Sequence, residues 1–559
     1  MKKALRSPAL LKALTLLAAI GLSACSVDTT VSISASTPAQ VQHLYVTLTE
    51  VWLSTSATAA PEDAGWVGSS LATPSTVDLS TLNGGTLTRL VSGVSIGAGT
   101  YKQLRIVLAD SADALTAAAQ SAGLTWNAEV QYLNAQGSSS TLPLELPSPK
   151  SQLIIPTTLV LNGNSAGAFL STDTSGTDTS TTTTTTTSGS TASLASIVVN
   201  IDTVRNWVLF NYGSQTGALL SPAMAAYEEK KAGAISGSVD VSGVASNVLT
   251  GAQGILVTAE ALSADGTRFQ AIKSVALQSG GSFTLFPLPV ADIGTGNYDL
   301  VIHGPGIRTV VLSQIPVSAG DATSATQVQS SAISLSTAKS YIVNTAANSA
   351  VLPGGSQVGF YQTVPGSDAP HLIEYAMPDP FSGGFAANLV LSADAIDYGN
   401  YNGGSDISIS SSAPDEGIGT YRIGADAPLR VSSSLSTTIS APSVVPRAVQ
   451  PVFLPPLSAA GNAILSGSVN FSQAGRFDQG FLLISRGGQL VDALDLSASL
   501  AGLKTSIAFS DSALPGGVGV RYDVAVRMWN SRDPAGTIAR AAAAAPADLS
   551  AQGVTIFVP

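Results

Sequence analysis

The chain has 559 residues, with 25 Lys plus Arg against 36 Asp plus Glu, a formal net charge of −11 and a single cysteine. This length implies several domains, the acidic balance argues against nucleic acid as a partner, and one cysteine excludes an intrachain disulfide. Mean hydropathy is +0.31, yet nothing after the first residues offers about eighteen consecutive apolar residues, so the apolar content sits in short Val/Ile/Leu/Ala runs of the kind strands use.

Lys2, Lys3, Arg6 and Lys12 open the chain without an acid, and the apolar run from Ala13 to Leu22 follows. That run is shorter than the roughly 20 residues a spanning helix needs, and reads as a signal peptide over residues 1–24. Leu22-Ser23-Ala24-Cys25 resembles the lipobox of bacterial lipoproteins. The resemblance implies a diacylglycerol on Cys25, a short tether over 25–30 and a membrane as partner through the acyl chains; two or more chains anchor stably. Ser26, rather than Asp, after the cysteine resembles the outer-membrane sorting pattern of Gram-negative lipoproteins, periplasmic or surface-facing. An ordinary signal peptide with an incidental cysteine is the alternative.

The first folded region spans 31–227. Leu44, Val46 and Leu48 alternate onto one face of a predicted strand, and Val77-Asp78-Leu79 precedes a turn at Asn83-Gly84-Gly85. After Gly99, Leu104, Ile106 and Leu108 share one strand face, while Tyr101, Gln103 and Arg105 share the other. Ser111 to Leu124 is predicted as a short helix capped by Ser111. Gly99-x-Tyr101-x-Gln103-x-Arg105, Val77-Asp78-Leu79, the run Ile197–Asp202 and Leu220-Ser221-Pro222 together resemble the bacterial lipoprotein family named for domain of unknown function 4382. The resemblance implies location and fold, because that family has no assigned activity. Ser171 to Ser193, almost wholly Ser, Thr, Gly and Asp, reads as a disordered surface insert within this domain.

Glu228 to Lys231 reads as a solvated hinge. Region 232–335 carries strand patterns from Ala234 to Ile302, with a hairpin signal at Asp265-Gly266. Its Gly-Ser-Val, Gly-x-Phe and Gly-x-Tyr-x-Leu elements resemble the carboxypeptidase-regulatory or transthyretin-like β-sandwich. Region 336–457 is β-rich, matches no pattern and ends in a stretch with Pro442, Pro446, Pro451, Pro455 and Pro456, read as a stiff linker. Region 462–559 restarts with Ile464-Leu465-Ser466-Gly467-Ser468-Val469, which echoes Ile235-Ser236-Gly237-Ser238-Val239 and predicts a divergent repeat. Arg540 to Ala545 reads as a helical turn or a loop. The expected fold class is all-β, as tandem immunoglobulin-like or transthyretin-like sandwiches, with the later sandwiches reaching away from the membrane.

Gly93-Val94-Ser95-Ile96-Gly97 and Gly163-Asn164-Ser165-Ala166-Gly167 match the Gly-x-Ser-x-Gly pattern of serine hydrolases, which needs a strand-to-helix turn and a nearby histidine. Neither is followed by a convincing helix, and His43, His303 and His371 fall in three different regions. No zinc cluster can be assembled from these residues, and Asp173 and Asp178 in the insert read as solvated rather than as calcium ligands. No cofactor is expected. Asp78, Tyr101, Arg105 and Asp202 form a candidate structural or binding cluster. The structural reading pairs Arg105 with an acid and packs Tyr101 at a sandwich corner. Trp52, Trp66, Trp126, Trp207 and Trp529 fit either core or a sugar platform. The leading expectation is a non-enzymatic structural or partner-binding envelope lipoprotein, its partner an envelope protein or a glycan. The alternatives are a carbohydrate-binding lipoprotein and a hydrolase.

Overall fold

Alternating runs become strands throughout the computed structural model. It describes residues 26–38, 41–133, 138–149, 151–162, 164–165, 193–204, 207–212, 215–245, 248, 254–290, 296–320, 325–328, 333–347, 357–376, 388–403, 407–426, 433–438, 447–449, 462–515, 520–533, 537–548 and 553–559. The signal segment and Cys25 lie outside these residues, as do positions 171–192 of the insert. The fold is all-β, built as tandem sandwiches.

The first sandwich holds β1 (Ser26–Ser36), β2 (Val41–Ser54), β3 (Val67–Asp78), β4 (Thr88–Gly97), β5 (Gly99–Leu108), β6 (Glu129–Leu133), β7 (Ser139–Glu145), β8 (Gln152–Leu161), β9 (Asn164–Ser165), β10 (Ser193–Asp202), β11 (Trp207–Tyr212), β12 (Gln215–Leu220) and β13 (Ala223–Glu228). One sheet has the order β13-β10-β1-β4. The other runs β3-β2-β5-β8, and β6, β7, β12 and β11 continue it from the amino half of β2. Val31, Ile33 and Ala35 of β1, Leu44, Val46 and Leu48 of β2, and Leu104, Ile106 and Leu108 of β5 meet in one core, as a side-chain period of two requires. β10, which follows the Thr/Ser-rich insert, pairs in parallel with β1. The chain on both sides of the insert therefore belongs to one sandwich.

The second sandwich comprises β14 (Ala232–Ser238), β15 (Leu256–Leu262), β16 (Phe269–Ala276), β17 (Ser282–Pro289), β18 (Asn297–His303), β19 (Val310–Pro316) and β20 (Thr326–Val328). The third comprises β21 (Ser340–Ala347), β22 (Gln357–Gln362), β23 (His371–Ala376), β24 (Asn388–Ser392), β25 (Ile396–Asn400), β26 (Ser410–Ser412), β27 (Thr420–Asp426), β28 (Ser433–Thr438) and β29 (Arg447–Val449). The fourth comprises β30 (Asn462–Phe471), β31 (Gln479–Arg486), β32 (Gln489–Asp495), β33 (Ser506–Pro515), β34 (Arg521–Trp529), β35 (Ala539–Ala542), β36 (Ala547–Asp548) and β37 (Val554–Val558).

All four share one topology. The opening strands β1, β14, β21 and β30 are each flanked by an antiparallel strand (β4, β17, β24, β33) and a parallel closing strand (β10, β20, β29, β37). The facing sheets are β3-β2-β5-β8, β16-β15-β18-β19, β23-β22-β27-β28 and β32-β31-β34-β35. The echo between Ile235–Val239 and Leu465–Val469 has a register beneath it. Gly237 opposes Phe283 and Val328, and Gly467 opposes Phe509 and Val554. A Cβ on either glycine would collide with the carbonyl oxygen of Val328 or Val554, so close strand approach requires glycine there. Region 336–457, which matched nothing as sequence, has the same plan. Its β25 and β26 leave it, and β25 pairs in parallel with β19 of the second sandwich.

Several local expectations change. Between Ser111 and Leu124 only Ala117–Ser121 is helical (α1), capped by Thr116, whose Oγ1 accepts from Ala119 N at 3.2 Å. Residues before it form a turn held by the Asn127 amide, which donates to the carbonyls of Asp110 and Ala114. Arg540 lies in β35 rather than in a helical turn or loop. The Glu228–Lys231 segment is no solvated hinge: Glu228 is buried and pairs with Lys230 and Lys231, and Glu229 accepts from Ser196. The proline-rich stretch is described only at Arg447–Val449.

The sandwiches pack against one another. Tyr227 donates to the Pro287 carbonyl at 3.0 Å, and Val198, Tyr227, Ala234 and Phe286 form one apolar cluster between the first and second. The third meets the second through β25 and through Tyr361, Leu372 and Ala271. The fourth returns to the first. Leu219 of β12 packs with Phe481, Leu483, Leu490 and Trp529, and Ile154 N donates to Gly487 O at 2.9 Å. The later sandwiches therefore do not all reach away from the first.

Candidate functional site

The four residues grouped from the sequence do not converge. Asp78 closes the amino end of a 3-10 turn, accepting from Ser80 N at 3.0 Å and Leu44 N at 3.1 Å, and its Oδ2 lies 2.6 Å from His43 Nδ1. Tyr101 donates to the Gly97 carbonyl at 2.7 Å, a short corner contact. Among the described residues Arg105 meets no acid in a hydrogen bond. Its guanidinium donates to Pro61 O at 2.6 Å, 4.6 Å from the Trp66 ring centroid and 5.6 Å from that of Trp52. Burial pulls the guanidinium below its ordinary value, while Glu50 and Glu62 act in the opposite sense. Asp202 is buried at the other sheet, facing the second sandwich, with Val204 N donating to it.

Gln103 and Arg105 share the outer face of β5, yet both are buried, whereas a register shift after Tyr101 puts that residue, expected on the same face, opposite Leu159 in the core of the sandwich. The cover is the loop from Thr55 to Trp66 together with the fourth sandwich. Where these meet, a cleft of about 300 Å³ remains, lined by Ala57 to Pro61, Gln103, Pro156, Arg486, Gln489, Arg521 and Asp523 among others. Gln103 is 7% exposed, and its Oε1 has no hydrogen-bond partner among the described residues. It opposes Pro156 in β8, a residue with no N–H to offer. A buried acceptor without a donor is costly, and Gln103 lines this cleft together with Arg486 and Arg521. Sequence reasoning placed Gln103 on a strand face but gave no sign that another domain covers that face.

The fourth sandwich is held there by buried charge. Glu145 on β7 accepts from Arg527 Nε at 2.6 Å and from Arg540 Nη2 at 2.5 Å. Burial pushes this carboxyl up, but the two guanidiniums outweigh it and hold it at about 2. A wider groove of about 700 Å³ opens beside this contact, lined by Asp113, Trp126, Thr141, Thr216, Thr537 and Arg540 among others. Trp126 alone of the described tryptophans lines either opening. Trp52 and Trp66 flank Arg105, and Trp529 is in the contact between sandwiches. No row of exposed aromatics exists among the described residues.

Ser95 lies exposed within β4 opposite Asp28, not on a strand-to-helix turn. Ser165 is in β9, beside β10. His303 and His371, distant in sequence, approach one contact between the second and third sandwiches. His371 Nδ1 is 3.3 Å from Glu260 and its Nε2 is 3.7 Å from Asp299, while His303 Nε2 is 3.7 Å from Glu374. Ser367 Oγ lies 3.4 Å from His371 Nε2, but it donates to Ala369 O at 2.9 Å. Burial lowers His371 to about 3, far from the near-neutral value that suits a general base. Among the described residues no group of three His, Cys, Asp or Glu side chains could hold a metal.

Fold and cleft define a multi-domain β-sandwich protein with an interdomain recess. A family model described as domain of unknown function (DUF4382) matches residues 28–222, which form the first sandwich up to β12. No curated protein matches the chain. One solved structure, titled as Salmonella alpha-2-macroglobulin reacted with methylamine, aligns at 10% identity over 94% of this chain with a TM-score of 0.12. The chain spans 31% of that structure's length, and a likeness this weak carries no argument.

Proposed function

We propose that this protein is a non-enzymatic cell-envelope lipoprotein, held in the outer membrane through acyl chains on Cys25, that binds a partner in the cleft between its first and fourth sandwiches. The observation that carries the reading is the cleft itself, whose wall includes Gln103, a buried side chain with an unpaired acceptor, together with Arg486 and Arg521. Such an arrangement suits a polar ligand that donates to Gln103 and accepts from Arg486 or Arg521. The lipobox-like Leu22–Cys25 segment supports the anchor; β1 begins at Ser26, where a tether over 25–30 was expected, so the first sandwich would follow the anchored cysteine directly.

The expected result of Cys25→Ser is a shift from the membrane fraction to the soluble fraction, with partner capture from solubilised envelopes retained. Equal distribution of both forms between fractions overturns the anchor. Failure of both forms to capture any protein or glycan overturns the binding role. A second reading, glycan binding, rests on Trp126, a half-buried indole among hydroxyl side chains in the wider groove; aromatic rings supply the apolar face that sugars stack on.

A further inference from the structure

Lys273 stands out among the charged side chains that the proposed binding role does not use. It sits on the edge strand β16 of the second sandwich, fully buried, and its Nζ reaches into the first sandwich. There it lies 2.8 Å from Asn200 Oδ1, 3.1 Å from Ser34 Oγ and 3.3 Å from Ala35 O. Asn200 and Asp202 stand two residues apart on β10, so they share its face, and both are buried. Asp202 is near enough for its charge to favour the protonated amine.

We propose that Lys273 and Asn200 become joined by an isopeptide bond that locks the first two sandwiches together. The Lys273 amine attacks Cγ of Asn200, the carbon bonded to the oxygen it already touches. A C–N bond forms between Nζ and Cγ, the bond from Cγ to Nδ2 breaks, and ammonia leaves. One proton passes from Nζ to the departing nitrogen, with the Asp202 carboxylate accepting and returning it. No oxidant, reductant or further reactant enters.

Three conditions favour the step. The amine must be uncharged, and burial, opposed only by Asp202, brings Lys273 down to about 7, which leaves a large neutral fraction at physiological pH. The reacting groups must be held in contact, and strands of both sandwiches fix them there. Water must be excluded, and the apolar cluster of Val198, Tyr227 and Phe286 lies in the same junction. The competing account is a buried amine satisfied by three acceptors, with no covalent step.

Mass spectrometry of the denatured full chain separates the two. The wild-type protein is expected one ammonia lighter, relative to its sequence, than Lys273→Met purified from the same host; comparing the two cancels uncertainty in the amino terminus. Tryptic digestion is expected to leave Lys273 uncleaved and to yield its peptide joined to the one containing Asn200. If Lys273→Met does not accumulate, Asp202→Asn serves as the comparison, because it keeps the lysine and asparagine but removes the proton carrier. Separate recovery of unmodified Asn200 and Lys273 peptides from the wild-type chain, with no missing ammonia, overturns the proposal.

Discussion

Glu145→Ala is expected to undock the fourth sandwich. The substitution leaves Arg527, 4% exposed, buried without its partner, and breaking a buried pair from one side costs about 3–5 kcal/mol. Hydrogen exchange should locate the damage. The amides of Ile154 and Leu490, which donate across the contact to Gly487 O and Ser221 Oγ, should exchange much faster, while amides within the core of the second sandwich should not change. Replacing Glu145 together with its more buried partner, as Glu145→Met with Arg527→Met, should restore much of the loss, since the one cation left without its carboxylate, Arg540, has a side chain 28% exposed and can be solvated. The same carboxyl sets an acid limit. Its folded value of about 2 is below the ordinary 4.5, so its stabilisation is fully present above about pH 4.5 and is lost as pH falls through about 2. The full amount is on the order of 3 kcal/mol. Unchanged exchange at Ile154 and Leu490 in the single variant would show that this ion pair does not hold the contact.

Arg105→Ala is expected to cost about 3 kcal/mol, combining a charge-assisted hydrogen bond to Pro61 O with two desolvated cation–π contacts. Arg105→Lys should recover only part of this, because an ammonium cannot stack its plane between two indoles. Thermal denaturation measures the loss. Tryptophan emission should shift to the red in the folded variants as Trp52 and Trp66 gain water. A functional consequence follows from geometry: Arg105 pins the loop whose residues Ala57 to Pro61 form one wall of the cleft. An alanine variant as stable as the parent, with unaltered emission, would remove this role.

Much of the architecture was legible in the sequence because period-two alternation is local. Leu44, Val46 and Leu48, or Leu104, Ile106 and Leu108, declare their faces within a few residues. The echo around Gly237 and Gly467 was legible because close approach of a parallel strand restricts both positions to glycine. The third sandwich was not, although it has the same topology; its signature departs where β25 and β26 cross to the second sandwich. Nor could the partners of charged residues be read. Arg105 was expected to seek an acid and instead lies between indoles. Glu145 meets Arg527 across 382 positions, and no local pattern announces that meeting. Ser32, Ser34 and Gln103 occupy alternation positions that normally face water; their burial is imposed by neighbouring sandwiches. For the same reason the candidate quartet dispersed, and the cleft emerged from residues of two distant segments.

Gln103→Met tests the central claim most directly, because methionine keeps the length of the side chain and removes the unpaired acceptor. The account predicts a protein more stable by about 1 kcal/mol, since an unsatisfied buried group is gone. It also predicts capture of the envelope partner weakened roughly tenfold, the equivalent of one lost hydrogen bond to the ligand. Undiminished capture by this variant would contradict the assignment of the cleft as the binding site.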